Sequence, residues 1–525
     1  MMKLITAETA RALDAEASAS WGLDPFALVE AAGRSCARVF TRAFPAFFAG
    51  SSPPAVTAAA GSGNNAADAM VMLRVLILEG AASADSSRVV INRLPARNER
   101  NPRSEAFRSL AAMGVPVHVW DRPSGGADEA ADSLRRADVV IDGVAGTGVS
   151  GPLRGAALGM VQAVNAARNA AGRSGRPPFV LAIDVPSGNF DAWTPGMPIL
   201  EADACLGIEP VKLALYKPAA RRFAGTILSV GGVFPAALVS RFEGAERLCW
   251  ETASERISPV RPDVHKYGRG LVEIRAGSHG AAGAAHIAAR GAQAAGAGIV
   301  RLLVDEEIYP VLARAAGGVM VAVNGSPADT PRRFKPDAIL LGPGWGTGAD
   351  RKALLEKALE REGEGTPLVL DADAVALARG LTFHGAAVLT PHPGEFAAFT
   401  GLPAEQLSSD PIPALRETAR RIRGTILFKG HVLYIAAPDG RLGILDGMNS
   451  ALASGGSGDL LAGFCAAAAA RTSKAGAFDG YDCAAAAAGL LMAAASAPEN
   501  ARRFFDPVEL ANAAASLAGA AWLPA

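Results

Sequence analysis

Asp459 closes the segment Asn449-Ser-Ala-Leu-Ala-Ser-Gly-Gly-Ser-Gly-Asp459, and Leu460-Leu-Ala-Gly463 follows at once. Gly455, Gly456 and Gly458 free the backbone for a tight turn, and an apolar helical pattern begins directly after them. Exposed N–H groups and the helix dipole converge at such a point, which suits an anion such as phosphate. A carboxylate beside a phosphate cradle is electrostatically unfavourable unless it does chemistry. Asp459 is placed to take a proton from a hydroxyl that attacks phosphorus. The same residues also read as a glycine-rich turn with an acidic cap.

Other segments weigh on that choice. Leu341-Gly-Pro-Gly-Trp-Gly-Thr-Gly348, Leu370-Asp-Ala-Asp-Ala374, Thr390-Pro-His-Pro-Gly-Glu395 and Phe428-Lys-Gly430 each follow a short apolar run. Ligands of open α/β sheets collect at the carboxyl ends of strands, so these four loops would line one crevice. Each alone is an ordinary turn; four at one edge are much harder to assign to chance.

The first half carries a second set. Ala58-Ala-Ala-Gly-Ser-Gly-Asn-Asn-Ala-Ala-Asp-Ala69 joins a strand-like run to a helix, with Asn64, Asn65 and Asp68 at the helix start. Asp142-Gly-Val-Ala-Gly-Thr-Gly148 and Ile183-Asp-Val-Pro-Ser-Gly188 follow two further apolar runs. Oxygens of Asn, Asp and Ser from three strand ends suit a hard monovalent or divalent cation. Ordinary Asx turns and helix caps explain the same residues without a cation.

The elements that must carry these loops alternate. Ala55–Ala60, Arg88–Asn92, Val115–Trp120, Val139–Asp142 and Phe179–Asp184 are strand candidates with alanine-rich amphipathic stretches between them. The second half repeats the scheme with 271–276, 299–304, 338–341, 368–370, 387–389 and 425–428, then long helices over 459–470 and 482–497. Both halves are therefore α/β, and the alternation in the first argues for a parallel sheet with helices on both faces. Prolines and glycines in SPVRPDVHKYGRG break the periodicity, so the expected domains are 1–245 and 246–525. Residues 124–130 and 361–365 read as solvated loops.

Composition narrows the class. Of 525 residues, half are hydrophobic and 19% charged, and Lys+Arg and Asp+Glu both number 51. Nothing in that balance points to nucleic acid or an acidic membrane. The five cysteines form no CxxC pair, so neither a disulfide framework nor a zinc site is indicated. The most apolar stretch, 483–497, is shorter than the ~18 residues of a membrane span. A cytoplasmic enzyme, with no membrane or nucleic-acid partner, is expected.

From about His265 to Leu517 the chain resembles the ADP/ATP-dependent NAD(P)H-hydrate dehydratases, a branch of the ribokinase-like superfamily. The resemblance rests on the ordered series HKYGRG, GSHGAAGAA (277–285), GPGWG, DADA, TPHPGE, Lys429-Gly430 and ASGGSGD. It implies that Ala284, Gly344 or Gly346, His392 and Asp459 contact the hydrated nicotinamide nucleotide. It also implies that Lys429, Gly430, His431, Val432, Leu433 and Gly458 hold the phosphodonor, ADP or ATP with Mg²⁺. Leu433 stands where that family usually has threonine. His392, between two prolines, serves equally well as a brace for its loop.

From about Leu4 to Phe242 the chain resembles the NAD(P)H-hydrate epimerases, which have a Rossmann-like domain and bound K⁺. The opening Glu8…Arg11…Asp14, Glu30-Ala-Ala-Gly33, the GSGNN, DGVAGTG and IDVPSG loops, and Ala202-Asp203 followed by Lys212 carry it. By that resemblance Asn65, Asp142 and Ser187 bind K⁺. Asn64, Asn65, Ala66, Ala67, Asp68, Gly146, Thr147, Gly148 and Asp184 contact substrate, and Asp184 and Lys212 are the acid/base pair. Lys212 also reads as a surface lysine lying over apolar side chains. Where that family has GNNGGDG, this chain has Gly63-Asn-Asn-Ala-Ala-Asp-Ala69. Alanine costs on the order of 1 kcal/mol or more wherever φ must be positive. The added methyls are also expected to crowd the substrate phosphates. Epimerisation is therefore expected to be slow or absent.

Together the two resemblances imply a homo-oligomeric repair enzyme for NADHX and NADPHX. The competing readings are a small-molecule kinase, or a first half that serves only as a binding or oligomerisation module.

Overall fold

The computed structural model describes residues 2–122, 125–169, 175–315, 317–326, 335–500 and 503–523. The chain divides into two compact units, Met2–Ala245 and Glu246–Ala525.

In the first unit an all-parallel sheet runs, in spatial order, Val117–Val119, Arg88–Ile91, Val56–Ala60, Val139–Gly143, Phe179–Ile183, Ala204–Ile208 and Thr226–Val230. Strand order reverses between Val56–Ala60 and Val139–Gly143, so their carboxyl ends diverge into a crevice. The helix Asn64–Leu78 leaves that crevice and is apolar nearly all round, as befits one packed on both sides.

The second unit has a mixed sheet in the order Met320–Val323, Ile299–Val304, Leu271–Arg275, Ala338–Leu341, Leu368–Leu370, Ala387–Leu389, Thr425–Phe428, Val432–Ala436 and Leu442–Asp446. Only Val432–Ala436 runs antiparallel to its neighbours. The order reverses between Leu271–Arg275 and Ala338–Leu341. Helices Ala282–Ala294 and Ser457–Lys474 pack there with hydrogens rather than side chains between them. A side-chain carbon at Gly463 would lie 2.2 Å from the Ala288 carbonyl, and one at Gly291 would lie 2.5 Å from that of Leu460.

Two loop expectations are corrected. Ser124 lies outside the described residues, but Gly126–Arg136 is a helix whose Ala130 and Leu134 are buried. The helix Ala349–Gly363 runs through most of 361–365. Its Glu362 is 1% exposed and accepts the backbone N–H groups of His384 and Ala386. A charged residue near a helix end looks solvated in sequence, yet here it ties down the chain leading into Ala387–Leu389.

Candidate active sites

The first-unit crevice opens into a cavity of about 650 Å³. Asn64, Asn65, Asp68, Gly146, Thr147, Gly148, Asp184 and Lys212 all line it, as do Arg11 and Asp14. Glycine is required at Gly61 and closely fitted at Gly146, where its loops converge. A side-chain carbon at Gly61 would sit 1.8 Å from the Val144 carbonyl oxygen, and one at Gly146 would lie 3.0 Å from the Asn65 Cβ. Arg11 then donates to the Thr147 carbonyl at 3.0 Å and ties the helix Ala7–Trp21 to the second loop.

Asp184 has φ +62°, unusual for a residue with a side chain. Strain of this kind concentrates at functional sites. The twist lets its carboxylate accept the Ile208 N–H at 3.2 Å and the Lys212 ammonium at 2.8 Å. Lys212 is 6% exposed and also donates to the Ile208 carbonyl, so it is a buried, fixed cation and not a surface lysine. Asp68 and Asp14 stand beside this pair. Burial, and then the nearby Asp184 charge, push the Asp68 carboxyl well above its usual range. Burial likewise raises Asp14, against the pull of Lys212.

Asp142 and Ser187 meet behind the cavity. The Ser187 hydroxyl donates to Asp142 Oδ1 at 2.5 Å, and the Ser187 N–H to Oδ2 at 2.8 Å. Asp142 is fully buried, and burial pushes its carboxyl up to about 6, against the hydrogen bonds from Ser187. The buried Asn65 amide nitrogen has no hydrogen-bond partner. An anionic carboxylate and an unsatisfied amide whose oxygen and nitrogen can exchange by rotation are a donor set that fits a monovalent cation.

Ala66, Ala67 and Ala69 depart from their expectation. They lie in the regular helix, none has positive φ, all are wholly buried, and none lines the cavity. Their methyls pack in the apolar core. Ala66 and Ala67 therefore offer no side chain to a ligand, and the Ala66 N–H is taken by the Gly63 carbonyl.

In the second unit the glycine turn behaves as its residue types demand. Gly456 has φ +92° and starts the helix Ser457–Lys474, placing Asp459 in its first turn. Lys429 reaches across from the end of Thr425–Phe428. A side-chain carbon at Gly458 would lie 3.2 Å from its ammonium. That ammonium donates to Asp371 Oδ1 at 2.6 Å and lies 4.0 Å from Glu395. Burial opposes its charge, but Asp371, Glu395 and then Asp459 outweigh burial and hold it above the usual lysine range. Burial first, and then the Asp371 charge, push the Asp459 carboxyl up to about 6. Carboxylates in such settings are favoured as bases near neutral pH.

The hydrate-contact candidates converge only in part. Gly344, φ +56°, packs on Ala281 and Ala284; a side-chain carbon there would come within 3.0 Å of the Ala284 Cβ. Gly346 donates its N–H to Asp373 at 2.7 Å. His392 does brace its loop: its Nδ1 accepts the N–H groups of Gly394 and Glu395 and caps the helix Pro393–Thr400. Its Nε2 lies 3.2 Å from Glu395. Gly430 and His431 are exposed at the turn before Val432–Ala436. Val432 and Leu433 are 1% and 4% exposed, so their side chains belong to the interior and only backbone groups can face a nucleotide. The leucine that replaces threonine is a core residue here.

Sequence assigns no role to Asp371, Glu395 or Asp14, because their approach to Lys429 or Lys212 crosses from one strand or helix to another. Among the described residues no group of three or more His, Cys, Asp or Glu side chains could hold a metal by itself. No helix among them is long and apolar enough to cross a membrane.

Residues 272–515 match the family model described as NAD(P)H-hydrate dehydratase, and residues 25–214 match that of the YjeF-related protein N-terminus. The bifunctional NAD(P)H-hydrate repair enzyme Nnr of Gloeobacter violaceus is 32% identical over 468 residues, 85% of each chain. The Escherichia coli enzyme of the same name is 30% identical over 333 residues, 63% of this chain and 62% of that one. A Bacillus subtilis ADP/ATP-dependent NAD(P)H-hydrate dehydratase co-crystallised with ATP/Mg²⁺ is 27% identical, covering 51% of this chain and 97% of its own, at TM-score 0.46. The chain belongs to the family of bifunctional NAD(P)H-hydrate repair enzymes, with a first domain of the YjeF-related N-terminal kind and an NAD(P)H-hydrate dehydratase second domain.

Proposed function

We propose that the second unit dehydrates NADHX and NADPHX with ADP or ATP, and that Asp459 is its general base. The observation that carries this is the approach of the Lys429 ammonium to the Gly458 turn, one residue before Asp459, whose charge reaches it. Asp459 takes the proton of the C6 hydroxyl, and the oxygen attacks the terminal phosphoryl group. AMP leaves from ADP, or ADP from ATP. The ring nitrogen then expels phosphate from C6 as a proton leaves C5, and the dihydronicotinamide is restored. Lys429 and the N–H groups of the turn bear the charge that develops on the phosphoryl oxygens. Mg²⁺ bound with the nucleotide would supply further charge neutralisation.

In the first unit, Asp184 and Lys212 are the acid/base pair for interconversion of the R and S hydrates, with Asn64, Asp68 and the Gly146–Gly148 loop around the substrate. Asn65, Asp142 and Ser187 hold K⁺, which balances the buried Asp142 charge. The protein works in the cytoplasm.

The deciding experiment mixes purified protein, NADHX, Mg²⁺ and ADP or ATP and follows the absorbance of the reduced nicotinamide. Its return with stoichiometric phosphate release supports the reading. A stable phosphorylated hydrate without NADH would instead identify a kinase.

A further inference from the structure

One carboxylate joins three strand ends in the second unit. Asp371, at the end of Leu368–Leu370, is 1% exposed. Its Oδ1 accepts the Thr390 hydroxyl at 2.7 Å, from the end of Ala387–Leu389, and the Lys429 ammonium at 2.6 Å, from the end of Thr425–Phe428. The next residue, Ala372, has φ +45° and ψ −118°, a region that side chains avoid. Asp373, on the other side of that strained residue, turns to the Gly346 N–H. The two carboxylates of DADA thus serve two different loops.

Lys429 faces three carboxylates, Asp371, Glu395 and Asp459, but is in hydrogen-bond contact with Asp371 alone. Without that contact a flexible ammonium would collapse onto Asp459 or Glu395. We propose that Asp371 is a positioning residue of the dehydratase reaction: it holds the Lys429 ammonium against the Gly458 turn, where it meets nucleotide phosphate, and away from Asp459. The inference rests on the reading of Lys429 as a nucleotide ligand. Thr390 fixes Asp371 in turn, because its hydroxyl donates to the same oxygen that receives the ammonium.

A double-mutant cycle tests it, since residues acting through one another are not additive. The variants are Asp371→Asn, Lys429→Ala and both together, with KM for ADP and ATP, KM for NADHX, and Tm measured on each. Asp371→Asn is expected to raise the nucleotide KM about tenfold and to leave the hydrate KM within about twofold. The double variant is expected to match Lys429→Ala. Should Asp371→Asn fail to fold, Thr390→Val keeps both charges and is expected to raise the nucleotide KM by a smaller factor in the same direction. Additive effects in the cycle, an equal rise in both KM values, or a silent Thr390→Val in the absence of a folded Asp371→Asn would overturn the proposal. If Lys429→Ala leaves the nucleotide KM unchanged, the reading of Lys429 falls and this inference with it. If Lys429→Ala raises it and Asp371→Asn does not, only this inference falls.

Discussion

Gly143 and Ala69 are in backbone-to-methyl contact: a side-chain carbon on Gly143 would lie 2.6 Å from the Ala69 Cβ. The loop that follows Asp142 therefore rests on the methyl that was expected to obstruct the site. Replacing Ala66, Ala67 and Ala69 together by glycine should lower stability, by about 1 kcal/mol per helical position plus the lost packing. It should give no gain in epimerase rate. Thermal melts and the rate of R-to-S conversion check both halves. A faster enzyme with an unchanged Tm would restore the original reading of the three alanines.

Asp459→Asn should lower dehydratase turnover by ~10²–10⁴-fold. It should not lower stability at pH 7–8. The carboxyl is raised to about 6 in the folded chain from an ordinary value of 3.8. Its ionised form is therefore disfavoured by folding, a penalty absent below pH 4 and complete above about pH 6. Removing the charge is expected to stabilise by on the order of 1 kcal/mol after discounting for partial solvent access. The same value places the acid limb of wild-type turnover near pH 6. Near-normal turnover of the asparagine variant, or a pH-independent wild-type rate between 5 and 8, would remove Asp459 from the chemistry.

The Asp142 carboxyl, also raised to about 6, gives the cation reading its own signature. K⁺ requires the ionised form, so its stabilising effect should be present at pH 8 and fade below about pH 6. Melts in KCl against tetramethylammonium chloride at both pH values test this. In Asp142→Asn the difference at pH 8 should vanish. A salt-specific shift that survives the substitution would place the ion elsewhere.

His392 separates bracing from binding. Asparagine supplies a good cap oxygen but no ring, so His392→Asn should keep Tm within about 1 °C while raising the hydrate KM. His392→Ala should lose ~1 kcal/mol as well. If the asparagine variant keeps the wild-type hydrate KM, the residue is a brace alone.

Much of this was legible because parallel strands buried on both faces are continuous apolar runs. Ile299–Val304, Ala338–Leu341 and Thr425–Phe428 read directly. Ala204–Ile208 and Leu442–Asp446 did not, since each is interrupted by glycine. Glycine-bearing loops were legible for the opposite reason: at Gly61 and Gly456 the backbone admits nothing else. The misreading of Ala66, Ala67 and Ala69 came from helix phase. Sequence places methyls on a helix near a site, but only the packed fold says whether they face ligand or sheet. The ties of Asp371 to Lys429 and Thr390 cross strands 19 and 58 residues apart and carry no local signal.

The contact of Gly463 with the Ala288 carbonyl and of Gly291 with that of Leu460 has a mechanical meaning. Ala284 and Asp459 ride on two rods that touch main chain to main chain, with no rotatable bond at those points of contact. The backbone span from Ala284 to Asp459, the proposed hydrate contact and the proposed base, is thereby set by van der Waals contact between the two main chains. Thermal motion can shift the loops around this ruler without stretching it, and on the proposed reading the alignment of reactants in this half of the chain would be inherited from folding and not made anew at each turnover.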